Sequence, residues 1–249
     1  MNNDRWRGLR DSAVKSVNTR NYVDRSLGDR LKTSGAGGAE LVFNREVLES
    51  DGYWIPGVEV FPRTVFQQKG RGHFAELART DSGVLRRIGL TPCQWSSASM
   101  QAGGLKGFHV HPPFVPDGRE PEDWFRELFE IFPFDYGLRR YSEEQWDVMF
   151  FLLGICEMIL VDERRGFPRR LMRFSISGDS CLGPDHVAVV IPPGVSHALR
   201  DIGGRELVMV YGTSTSFCPD WEGRIVSSVE CSVLPNDWNQ YLSISEIDS

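Results

Sequence analysis

From Gly57 onward the chain is built of short segments rich in β-branched and aromatic residues, each closed by glycine, proline or a polar turn. They are VEVFPRTVF, GHFAELART, CQWSSASMQ, GFHVH, WDVMFFLLG, CEMILVDE, RRLMRFSIS, VAVVIPPG, ELVMVYGT and RIVSSVECSVL. Runs this short are strands rather than helices, and their regular recurrence with turn residues between them marks an antiparallel sandwich or barrel. The 25 glycines and 14 prolines in 249 residues supply those turns, and that length can enclose one large β core. The expected fold class is therefore all-β.

Two stretches depart from this rhythm. Residues 1 to 45 are polar, rich in Arg and Asp, and run into the loose TSGAGGAE, which predicts a partly flexible N-terminal extension before a domain spanning 46–249. Between two strand-like segments, PEDWFRELFEIF sets Trp124, Phe125, Leu128, Phe129 and Phe132 at helical spacing with acids in its first turn. This predicts an amphipathic helix inserted at about 113–141. Packing on the barrel is the simplest use of its apolar face; a lid or a dimer contact would use the same face.

The net charge of -6 argues against binding nucleic acid through the overall field. The longest apolar run, VMFFLLGICEMILV, is broken by Gly154 and Glu157 and reads as a buried strand, not a membrane span. Cys93, Cys156, Cys181, Cys218 and Cys231 are scattered and odd in number, so reduced thiols and a cytoplasmic protein are expected.

The chemistry-bearing residues cluster in GGLKGFHVHPP, Gly103 to Pro113. Side chains alternate along a strand, so His109 and His111 share one face. His197 follows IPPGVS, a turn that delivers it onto another strand. Three imidazoles from neighbouring strands can hold a divalent transition metal with open positions, so His109, His111 and His197 form one candidate metal set. His73 and His186 have no partner motif and are expected to be surface or structural residues.

The spacing G-x5-H-x-H at Gly103 to His111, followed by P-x-G-x2-H at Pro192 to His197, resembles the two motifs of cupins, which are antiparallel jelly-roll β-barrels. The glutamate that metal-binding cupins add after the second histidine is absent, and Glu157 is the nearest substitute. Within the cupins the order of further segments resembles dTDP-4-dehydrorhamnose 3,5-epimerase. RGHFAEL is similar to RGFFES, LKGFH to LRGLH, IPPGVSHAL to IPPGFAHGF, and YGTSTSFCPDWEGRI to YKCTDYYAPEHERGI.

That resemblance implies a cofactor-independent isomerase in which His109 removes a proton beside the C4 keto group. Tyr211 would return a proton from the other face. Asp248 would orient the base, and Lys106 and His197 would face the developing oxyanion. Arg71, Glu76, Gln94 and Glu222 fall where the family contacts substrate. The residue types suit the work, because imidazole titrates near neutrality and an enolate needs donors aimed at its oxygen. The implied ligand is a keto sugar or nucleotide sugar, and the implied assembly a homodimer.

The chain departs from the family where a diphosphate-holding lysine is replaced by Asp147, an arginine by Phe150 and a second tyrosine by Phe217. A carboxylate repels diphosphate at close range. Arg119, Arg126, Arg139 and Arg140, in the helical insertion, are candidate replacements. Two other readings therefore stand beside the epimerase: a metal-dependent cupin enzyme, and a catalytically silent sugar-binding cupin.

Overall fold

Strands that bury one face each are stable only when two such faces meet, and the chain meets this requirement with two five-stranded antiparallel sheets. The structure, a computed structural model, describes residues 54–111, 115–128, 144–162, 164–167, 170–182, 185–217 and 223–224. The first sheet runs β1 (Glu59–Pro62), β9 (Val187–Ile191), β6 (Asp147–Leu153), β11 (Leu207–Thr213), β4 (Gln94–Met100). The second runs β12 (Gly223–Arg224), β5 (Leu105–Val110), β10 (Val195–Asp201), β7 (Ile155–Asp162), β8 (Leu171–Ser177). From β4 onward every step except the β7–β8 hairpin passes from one sheet to the other, which wraps the chain into a jelly roll.

The main core lies between the sheets and includes Met149 and Phe151, Met158 and Leu160, Val189 and Ile191, Leu199 and Met209. Residues of the opposite parity on β6 and β9, Val148, Phe150, Ala188 and Val190, point outward. They are covered by Trp146 and by Leu85 and Leu90 around α1 (Gly83–Ile88). The strand-based reading of the sequence contains no helix there. Six residues are too few to show a period, although Gly89 closes the helix in a left-handed C-cap.

The longest apolar run forms two strands, β6 and β7, which match the separate segments WDVMFFLLG and CEMILVDE, because Gly154 turns the chain between them at φ 85°. A Cβ at that position would lie 2.7 Å from the Glu206 carbonyl oxygen. VEVFPRTVF is likewise divided. Beyond β1, Arg63 turns inward and ion-pairs with Asp179, and the chain leaves the sheet as a separate hairpin, β2 (Val65–Gln68) and β3 (Gly72–Ala75). His186 is structural as expected: it is buried, with Nε2 2.8 Å from Asp179.

α2 (Pro121–Leu128) occupies the predicted insertion and buries Phe125 and Leu128. Arg119 and Arg126 ion-pair with Glu127 and Glu122 on the helix surface. Phe129, Phe132, Arg139 and Arg140 lie outside the described residues, as do the N-terminal extension and RIVSSVECSVL beyond Arg224. Among the described residues, no helix is long and apolar enough to cross a membrane.

Candidate active site

The LKGFH segment forms β5, and its glycine explains how Lys106 and His109 come to share a wall. Three residues apart, they belong on opposite faces of a regular strand. Opposite them on β10, His197 pairs with His109 and Leu199 with Lys106, so β5 spends one more residue than its partner over this stretch. That is a β-bulge, and Gly107 occupies it at φ 124°. A Cβ on Gly107 would lie 2.6 Å from the Ala198 Cα.

The inward faces of β4, β5, β6, β10 and β11 enclose a cavity of about 460 Å³. His109 and Lys106 stand on the wall from the second sheet. Tyr211 stands on the wall from the first, where β11 pairs with β4 through Ser96 and with β6 through Met149. Gln94 lines the cavity, but its Oε1 accepts a hydrogen bond from the Phe217 backbone N–H at 2.7 Å, which holds the exposed Phe217 ring at the rim.

At one end of the cavity His111, Asp147 and His197 meet, each under a tenth exposed. Nε2 of His111 lies 3.1 Å from Asp147 Oδ2, and Nε2 of His197 lies 3.9 Å from the same oxygen. The imidazole rings of His111 and His197 are 5.5 Å apart, and those of His109 and His197 are 5.9 Å apart. The other Asp147 oxygen accepts from Gln145 Nε2 at 2.9 Å, and Gln145 in turn accepts from the Thr215 hydroxyl at 2.8 Å.

Burial works against ionisation of Asp147, but the charge and hydrogen bond of His111, with His197 and Gln145, overcome it and bring its pKa down to about 2. Burial pushes His197 down to about 4 against the opposing pull of Asp147. His197 is thus neutral at pH 7, and His111 is the partner that sustains the carboxylate there.

This grouping differs from the candidate metal set of the sequence. Donor atoms of His111, Asp147 and His197 lie within 4.8 Å of one another, and His109 is not in that group. Glu157 is no substitute ligand: it ion-pairs with Arg173 and Arg200, each at 2.6 Å, away from the cavity. Asp147 takes that place. Its signal in the sequence was a carboxylate in phase with the inward Met149 and Phe151.

Arg71 and Glu76 do not line this chain's cavity. Arg71 is exposed at the β2–β3 turn, and Glu76 ion-pairs with Arg79 at 2.9 Å. Asp248 and Glu222 lie outside the described residues.

Two facing sheets with a histidine-lined cavity between them define a cupin-type jelly roll. No family model matches the chain. Over 170 residues, 67% of this chain and 84% of the relative, it is 27% identical to the spore coat polysaccharide biosynthesis protein SpsL of Bacillus subtilis strain 168. The dTDP-4-dehydrorhamnose 3,5-epimerase of Elizabethkingia anophelis NUHP1 superposes with a TM-score of 0.50 at 17% identity, over 73% of this chain and 81% of that one. NovW, a 4-keto-6-deoxy sugar epimerase from the novobiocin cluster of Streptomyces spheroides, gives 0.51 at 20% identity, over 73% and 74%. The resemblance read in the sequence therefore holds at the level of the fold.

Proposed function

We propose that the protein is an isomerase of the sugar-epimerase type, acting on a 4-keto sugar that is nucleotide-linked or closely related. The observation that carries this reading is that His109 and Tyr211 line one cavity from opposite sheets. A sugar ring lying between them presents one face to each. His109 takes the proton from the carbon beside the carbonyl, leaving an enolate. Tyr211 gives its hydroxyl proton to the same carbon from the opposite face, which inverts the centre. The reaction is a net isomerisation that consumes no oxidant or reductant, and the pair is reset when His109 releases its proton to solvent and Tyr211 takes one up. Lys106 and His197 supply charge and hydrogen bonding toward the enolate oxygen, and Asp248 orients the base.

The assembly in this reading is a homodimer. The β2–β3 hairpin is its own two-stranded sheet, and its stacked Phe66 and Phe74 rings, 6.2 Å apart, are 57% and 55% exposed. A lone hairpin with such a surface gains stability by packing on something else. Because Arg71 and Glu76 do not reach their own chain's cavity, a substrate role for them calls for a second copy.

The test is to incubate the full-length protein with a nucleoside-diphosphate-linked 4-keto-6-deoxy sugar, and separately with the same sugar lacking the nucleotide. NMR then reports the configuration at the carbons flanking the carbonyl. Inversion with either supports the reading and shows whether the nucleotide is required. Unchanged configuration with both, alongside saturable binding, would favour the silent sugar-binding cupin.

A further inference from the structure

We propose that His111, Asp147 and His197 form a binding site for a divalent first-row transition-metal ion, seated beside the His109–Tyr211 pair. This does not rest on the epimerase reading, because it concerns binding and follows from the donor set.

Two imidazoles and one carboxylate are donors that zinc, cobalt, iron and manganese accept, and three protein ligands leave coordination positions open. Here the donors come from three separate places in the fold: the end of β5, the start of β6 and the middle of β10. Metal–ligand bonds of about 2.0–2.2 Å place neighbouring donors roughly 3–3.5 Å apart. The His111–Asp147 separation of 3.1 Å already fits, the His197–Asp147 separation of 3.9 Å is close, and all three donors lie within 4.8 Å. Small side-chain rotations would close the set on an ion.

The surroundings are built for such a set. Gln145 occupies Oδ1 of Asp147 and is itself held by Thr215, which leaves Oδ2 directed at both imidazoles. This is the outer layer of hydrogen bonds that fixes a ligating carboxylate. The backbone N–H of Gly194 donates to the His111 carbonyl at 2.7 Å, tying the end of β5 to the turn that leads into His197. A metal-free His111–Asp147 ion pair would account for the buried carboxylate. It would not account for a second buried imidazole facing the same oxygen. Among the described residues this is the one group of its kind, and its open side faces the cavity that His109 and Tyr211 also line.

The experiment uses full-length protein stripped with a chelator and titrated with Co(II) and with Zn(II). Calorimetry reads stoichiometry and affinity, and visible absorption reads the cobalt ligand field. One ion per chain in the micromolar range or tighter, with cobalt d–d bands, is expected. Asp147→Asn and His111→Gln should each weaken binding by at least about 100-fold, while His109→Ala should change it by less than about 3-fold. Unfolding curves show that each variant is folded. The wild-type stoichiometry and cobalt spectrum decide the matter even where a variant fails to fold. No saturable binding by the wild type overturns the proposal. So does binding unchanged in folded Asp147→Asn, or abolished in folded His109→Ala. Because no sugar is present, failure here leaves the epimerase reading standing, and absence of epimerisation leaves this one standing.

Discussion

At the scale of single residues, the buried His197 and Asp147 couple the site to pH. His197 is held down at about 4 by burial, so between its ordinary value near 6.5 and that value the unfolded chain binds a proton that the folded chain does not. Its contribution to stability is complete above pH 6.5 and is lost as pH falls toward 4. Asp147, held at about 2 against an ordinary 3.8, contributes stability above 3.8 that is lost as pH falls toward 2. His111 and His109 are the other titratable side chains facing this pair across the cavity, with Lys106 and Tyr211 beyond them. In chelator-treated protein, urea unfolding at pH 7.5, 5.5 and 4.5 should show a loss of roughly 1 kcal/mol per pH unit below 6.5. His197→Gln should flatten that slope; an identical slope in the variant would contradict the assignment.

At the scale of elements, the bulge in β5 sets Lys106 and His109 on one wall. Gly107→Ala places a methyl group against the Ala198 backbone at a positive φ and should cost about 2–3 kcal/mol. Gly103→Ala, also at positive φ but with nothing within 4 Å of its Cβ, should cost only about 1 kcal/mol. Equal costs in urea titrations would mean that the bulge is not under this constraint.

The same strand shows what was legible in the sequence. Two-residue alternation placed His109 and His111 on one face, and the turn before His197 brought that histidine to the neighbouring strand. The meeting of His111 with Asp147 was not legible, because it joins residues of two different sheets, and the register between sheets is set by packing rather than by local pattern. α1 is illegible for the opposite reason: it is too short to carry a period. For Lys106 the sequence offers only the family resemblance, and the bulge gives its orientation a physical cause.

At the scale of the whole molecule, the strand rhythm from Gly57 onward gave the class of fold, and the order of the motifs gave its wrapping. What a single chain leaves open is the β2–β3 hairpin, which presents Phe66 and Phe74 to solvent and carries Arg71 away from the cavity. Light scattering coupled to gel filtration should give twice the chain mass for the wild type, and Phe66→Ser/Phe74→Ser should shift the mass toward one chain. A wild type that runs as a single chain would remove the homodimer, and with it any substrate contact from Arg71 or Glu76.

The central claim is that His109 takes a carbon-bound proton from one face of a keto sugar held between the two sheets and Tyr211 gives a different proton to the other face. Its most direct test is mass-spectrometric deuterium uptake by a 4-keto-6-deoxy sugar nucleotide incubated with the protein in deuterated water. The wild type should incorporate deuterium beside the carbonyl, His109→Ala should lower the rate by about 100-fold or more, and Tyr211→Phe should impair inversion more than exchange. Uptake at the wild-type rate in folded His109→Ala, or none in the wild type with bound sugar, would contradict the account.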